Sequence, residues 1–234
     1  MKVYKVVVSV VGCILMISGA LNAQNFQFSV GRNLSEYHLI NSNGQEVDYL
    51  KPGSGMHVKA AYTKAFLDTL AIQISDPEKA LKYTQSPLLS KVLSVLNYSI
   101  ALQMLQVNAI GDIQQIPLKY ETDYVGVECG LGAKFNLLKN LAFQVKGLIS
   151  ANKMIYGSQM TGNNFYLLKG NSQFDGIKLF KGIQFDIRTQ INPNTEFVLG
   201  YGNFSTLSPA ESSTGKLDFS TQLFSLGFAL QFKK

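Results

Sequence analysis

Cysteine, histidine and proline are scarce in this chain, whose 234 residues hold two Cys, two His and six Pro. Cys13 lies inside an N-terminal apolar run and is lost if that run is cleaved. Cys129 would then stand alone, so no internal disulfide framework is possible even in an oxidising compartment. Only His38 and His57 are available for imidazole chemistry. A metal site built on both would still need a carboxylate. No apolar run long enough for a helical membrane span follows residue 21, which excludes such spans from the mature chain. Charged residues make up only 15%. Removing residues 1–23 takes away two Lys and no acid, leaving a formal charge of +4 instead of +6. That mild basicity points to no partner and gives no reason to expect nucleic acid.

What is present begins with Lys2 and Lys5, followed by an apolar stretch from Val6 to Leu21 broken only by Ser9, Gly12, Ser18 and Gly19. Leu21-Asn22-Ala23-Gln24 offers a small residue for cleavage after Ala23, where the sequence turns polar. This is the layout of a secretory signal, so residues 1–23 are expected to be a cleaved signal peptide and 24–234 one exported domain. Val10-Val11-Gly12-Cys13 also fits a lipoprotein cleavage box, but Ile14-Leu15-Met16-Ile17 continues the apolar core where a lipoprotein turns polar.

From Phe26 onward the dominant period is two, the signature of strands with two unlike faces. Between Asp123 and Leu137, Val125, Val127, Cys129, Leu131, Ala133 and Phe135 share one face; Gly126, Glu128, Gly130, Gly132 and Lys134 share the other. Segments 96–104, 141–152, 183–191 and 224–232 repeat the pattern, and 26–33, 56–66 and 195–204 do so more weakly. Alternation over about 14 residues exceeds the usual soluble strand of 5–6 and suits a tilted membrane strand of about 9–11. The count of eight is even, as in single-chain bacterial barrels. The fold class expected is therefore all-β: an antiparallel up-and-down transmembrane β-barrel of about eight strands. A soluble sandwich or lipocalin-like binder also buries one alternating face, and detergent-free solubility would favour it.

The connections alternate in length. Leu138-Lys139-Asn140 and Asn192-Pro193-Asn194 are tight turns, whereas 34–55, 109–121, 157–176 and 205–217 read as long outer loops. Residues 67–94 are the exception at the periplasmic end. Asp76-Pro77-Glu78 and Ser86-Pro87 each suit an N-cap followed by Pro, predicting one or two short helices, while Leu70, Ile72 and Ile74 suit a longer second strand.

Phe28-Ser29-Val30-Gly31, Thr122-Asp123-Tyr124-Val125-Gly126, Gly130-Leu131-Gly132-Ala133-Lys134-Phe135, Leu199-Gly200-Tyr201-Gly202 and Phe228-Ala229-Leu230-Gln231-Phe232 resemble the small outer-membrane β-barrel proteins of Bacteroidota, the porin-family or PorT-like barrels. The resemblance implies a bacterial outer-membrane location and no shared catalytic residues. The 67–94 insertion departs from the short turn usual there.

On the inward faces, Glu128, Lys134, Lys146, Asp186, Arg188 and Glu196 form an expected luminal charge network. Glu128 with Lys146, and Lys146 or Arg188 with Asp186, are its candidate pairs. Leu131, Phe143, Phe185 and Phe228 are expected to face lipid. His38 with Ser35 or Asp48 is the one arrangement resembling a rim nucleophile and base, but it has no diagnostic spacing. Gly126, Gly130 and Gly132 lie within a strand and so do not form a phosphate loop. No catalytic, cofactor or metal residue is assigned. The function expected is a non-enzymatic barrel with a plugged lumen, serving envelope structure, surface interaction or secretion. Its partners would be outer-membrane lipid, lipopolysaccharide and a periplasmic or surface protein. The alternatives are a narrow diffusion porin and a rim-active lipid hydrolase or acyltransferase.

Overall fold

A computed structural model describes residues 25–47, 49–66, 92–212 and 215–231. The expected signal peptide, Asp48 and residues 67–91 of the insertion lie outside the described residues. Val92–Val95 is helical and leads straight into the third strand.

Ten strands follow in order: β1 (Asn25–Asn41), β2 (Leu50–Ala65), β3 (Leu96–Ile113), β4 (Ile116–Leu138), β5 (Leu141–Thr161), β6 (Asn164–Leu167), β7 (Ile177–Asn192), β8 (Thr195–Thr206), β9 (Ala210–Ser212) and β10 (Gly215–Gln231). Eight of them close a ring, β1-β2-β3-β4-β5-β7-β8-β10, sealed by antiparallel pairing of β10 with β1. Short β6 and β9 pair onto β5 and β10. Closure removes every edge within the ring, so no row of backbone groups is left unpaired there. Followed through β2–β5, the register takes Val30 to Ile177; followed through β10 and β8, it takes Val30 to Ile187. That ten-residue stagger tilts the strands in the way an eight-stranded barrel requires.

The long outer loops are largely strand. Segment 109–121 is continuous hairpin apart from Gln114 and Gln115, which carry positive φ of 52° and 70° as a primed two-residue turn demands. Segments 34–55 and 205–217 likewise give up most of their length to β1, β2, β8, β9 and β10, and 157–176 gives nine of its 20 residues to β5 and β6. Near the outer end of β2 the ladder to β3 is interrupted between Pro52 and His57. Amide side chains bridge the gap: Met56 N donates to Gln106 Oε1 at 3.0 Å, and Asn108 Nδ2 donates to the Ser54 carbonyl at 2.8 Å.

The strands exchange the polarity of their faces partway along. Toward the chain termini the outward side is apolar, as with Phe28, Val30, Ile100, Val127, Leu131, Phe224, Leu226 and Phe228, and the inward side is polar, as with Gln27, Ser29, Asn97, Gln103, Glu128 and Ser225. Toward the hairpin at Gln114 the pattern inverts. Tyr37, Leu105, Val107, Leu118, Tyr124, Leu217 and Phe219 point inward and are buried. Glu36, His38, Gln106, Asn108, Lys119, Glu121, Asp218 and Ser220 occupy the outward positions between them. A sheet bathed only in water has no reason to expose one band of leucine and phenylalanine while burying lysine and glutamate behind it. A sheet crossing lipid over half its length does, and this is the architecture of a transmembrane barrel.

Candidate functional site in the barrel interior

In the apolar-banded half of the barrel the interior is a lattice of ions and amides drawn from all eight ring strands. Lys59 Nζ lies 3.0 Å from Glu128 Oε1 and 2.6 Å from Gln184 Oε1. Gln184 Nε2 donates to Asp186 Oδ1 at 2.6 Å, and Lys146 Nζ stands 2.6 Å from Asp186 Oδ2. Nearer the termini, Glu196 accepts from Arg188 Nε at 2.7 Å, Lys134 Nζ at 2.6 Å and Gln231 Nε2 at 2.8 Å. Arg188 Nη1 also reaches Gln27 at 3.2 Å and Gln144 at 2.7 Å, and Gln144 donates onward to Asn97 at 2.8 Å. Room for these groups comes from inward glycines. A Cβ on Gly132 would stand 2.9 Å from Lys146 Cγ, and one on Gly200 would stand 2.9 Å from Asp186 Oδ1.

The six sequence-derived charges thus fall into two networks, with one correction. Glu128 does not pair with Lys146; it pairs with Lys59, and Lys146 pairs with Asp186. Lys59 was missing from the sequence set. Its signal was present, since His57, Lys59, Ala61 and Thr63 alternate with Val58, Ala60 and Tyr62. With Lys59 counted, four bases face three acids.

Above this lattice the inverted half is filled by rings. Phe174 stacks on Tyr120 at 5.5 Å between centroids, and Tyr37 meets Phe219 edge-on at 4.8 Å. Phe180 lies against Phe219 at 6.5 Å. Leu168 and Phe174 belong to the connection between β6 and β7 and are folded into the mouth, 3% and 5% exposed. Their polar tips are satisfied: Tyr37 Oη donates to the Val107 carbonyl at 2.7 Å, and Tyr124 Oη to the Phe174 carbonyl at 3.1 Å. Between the tiers, beside His57, Gln103, Phe180 and Leu223, lies a cavity of about 10 Å³, room for roughly one water.

The histidines are far apart in character. His57 is buried in the lumen, not at the rim, with Nε2 3.4 Å from Gln103 Oε1. His38 is on the outer wall, with Nε2 3.4 Å from Ser220 Oγ and Nδ1 3.7 Å from Glu46. Ser35 faces the opposite way, fully buried and bonded to Asn33 Nδ2 at 3.0 Å, so the strand's own pleat separates it from His38. On the outer wall Leu131 is 64%, Phe228 51% and Phe185 40% exposed. Phe143 is half-buried, stacked on Phe185 at 6.2 Å. Cys129 is exposed on the same wall.

No protein-family model matches the chain, and no curated protein matches it. Among solved structures it is similar to Neisserial surface protein A, at 10% identity over 88% of this chain and 97% of that one, with a TM-score of 0.45. The attachment invasion locus protein Ail of Yersinia pestis, solved with a heparin analogue, aligns at 13% identity over 89% and 99% with a TM-score of 0.41. The outer membrane protease OmpT of Escherichia coli aligns at 7% identity over 90% and 97% with a TM-score of 0.39. These are outer-membrane β-barrels whose roles differ, attachment in one and proteolysis in another.

Proposed function

We propose that this chain is an exported bacterial outer-membrane barrel with a closed lumen, acting without catalysis through the surface it presents as an envelope-structural or interaction protein. The observation that carries this is the two-tier filling: an ion lattice spanning the wall from strand to strand, capped by packed rings and by the inserted Leu168 and Phe174. A diffusion pore needs a continuous wet path, and side chains fill a barrel of eight strands unless something holds them aside. The pleat separates Ser35 from His38, so that pair does not supply a rim nucleophile and base; the hydroxyl that His38 does meet is that of Ser220, at 3.4 Å on the outward face of the wall. What remains accessible is the polar outer crown, including the Lys119–Glu121 ion pair at 2.5 Å. A periplasmic or surface protein partner, a Bacteroidota source and a PorT-like secretion role belong to the same proposal as its finer parts, motivated by the strand motifs.

Expression in a Gram-negative host tests the placement. The mature chain, beginning at Gln24, should fractionate with the outer membrane and run faster on a gel unheated than boiled. A chain that stays soluble in the periplasm, or one that begins as a lipidated Cys13, overturns it.

A further inference from the structure

The outer wall is not uniformly convex. Across β3, β4, β5, β7 and β8 runs a groove of about 1030 Å³. Its sides are Leu131, Ile149, Ile183 and Phe185, and its centre is Gly147, the outward position on β5 where a side chain is missing. A Cβ there would find no atom nearer than the Leu131 carbonyl at 4.0 Å, so no close packing requires glycine at this position. The register places Ile183 between Gly147 and Asn203, and one rung outward it places Lys181 between Ile149 and Ser205. Lys181 is exposed on the outward face of β7, flanked along its strand by Leu179 and Ile183. The cation therefore sits within the apolar band, level with the polar Asn203 and Ser205 of β8, near the end where the faces invert. None of the acidic groups among the described residues pairs with it.

From there the ammonium reaches the headgroup level with its stem along the apolar wall, where a lipid phosphate is its natural counter-ion. We propose that this groove seats one molecule of lipopolysaccharide, with Lys181, Asn203 and Ser205 taking a lipid A phosphate and the Gly147 notch receiving acyl chains. Two features favour that lipid over a phospholipid. The groove spans five strands, a width suited to several chains side by side, and Lys181 lies toward the end of the barrel that the closed hairpins place outside. The proposal rests on the membrane placement above but is separable from the closed lumen.

The test is native mass spectrometry of the full mature chain in detergent, offered either purified lipid A or phosphatidylglycerol. Lipid A should be retained in preference. Lys181→Gln and Gly147→Phe should each lower its retention by about tenfold, Lys181→Arg should restore it, and Lys51→Gln on β2 should leave it unchanged. Folding of each variant is read from heat-modifiable mobility. Equal retention of phosphatidylglycerol, or wild-type retention of lipid A by a folded Gly147→Phe or Lys181→Gln protein, overturns the groove assignment while leaving the barrel's placement intact. A mature chain that needs no detergent overturns both.

Discussion

Lys59 and Glu128 are 2% exposed and face each other across the lumen. Each charge is tolerable there because the other is present, so removing one should cost more than removing both. Glu128→Leu is expected to destabilise the folded barrel by about 3–5 kcal/mol, and the double variant Lys59→Met/Glu128→Leu by less. Urea unfolding in detergent micelles measures both, and a double variant as damaged as the worse single would contradict the pairing. Asp175, outside the apolar band, offers a pH test. The backbone N–H groups of Gly170 and Gly176 donate to its carboxylate at 2.9 and 2.7 Å, holding it below the ordinary value of 3.8. Because the folded group is the stronger acid, its contribution is complete above the unfolded value and is lost as pH falls through the lower folded one. Hydrogen exchange should show residues 168–176 losing protection on acidification to about pH 2, with the ring strands retaining theirs. Asp175→Asn should loosen the same segment at neutral pH. Unchanged protection in either experiment contradicts the role.

At the level of the strand, the exchange of faces explains both what was legible and what was not. The alternation from Val125 to Phe135 and from Phe224 to Leu230 identifies the strands because one solvent, lipid, meets one face throughout. Past that band the rule reverses: Tyr37 takes the inward position where Glu36 and His38 look out, and Phe219 does so between Asp218 and Ser220. A search for a constant apolar face therefore stops at Asn33 and restarts at Phe224, leaving about half of β1 and half of β10 outside the sequence-derived strands. Most of the aromatic tier was invisible for the same reason: Tyr37, Tyr120 and Phe174 lie in segments read as connections and Phe180 and Phe219 fall between the assigned strands, whereas Tyr124 lies in the clearest strand, on its polar face. The charges were legible because they fall inside the regular band, although Lys59 was hidden in a strand with weak patterning. Arg in place of Leu131, Phe185 or Phe228 should cost about 2–4 kcal/mol near the bilayer midplane and much less near either interface. Half-buried Phe143 should behave as its stacking partner Phe185 does. Arg tolerated equally at all four would contradict the band. Phe219→Ala, in the ring-filled tier, should cost about 3–5 kcal/mol by leaving a cavity, measured by the same unfolding; a loss under about 1 kcal/mol would show the tier to be loosely packed.

For the molecule as a whole, the closed ring removes strand edges, the ten-residue stagger fixes its width, and the two tiers fill what that width leaves. Charge within the bilayer span and aromatic rings beyond it fill the interior by different means. The measurement that bears most directly on this is electrical. Purified mature protein, refolded and reconstituted into a planar bilayer, should give no steady stepwise conductance above the protein-free membrane. Large, reproducible single-channel steps from the same preparation would contradict the closed lumen and make the barrel a diffusion pore.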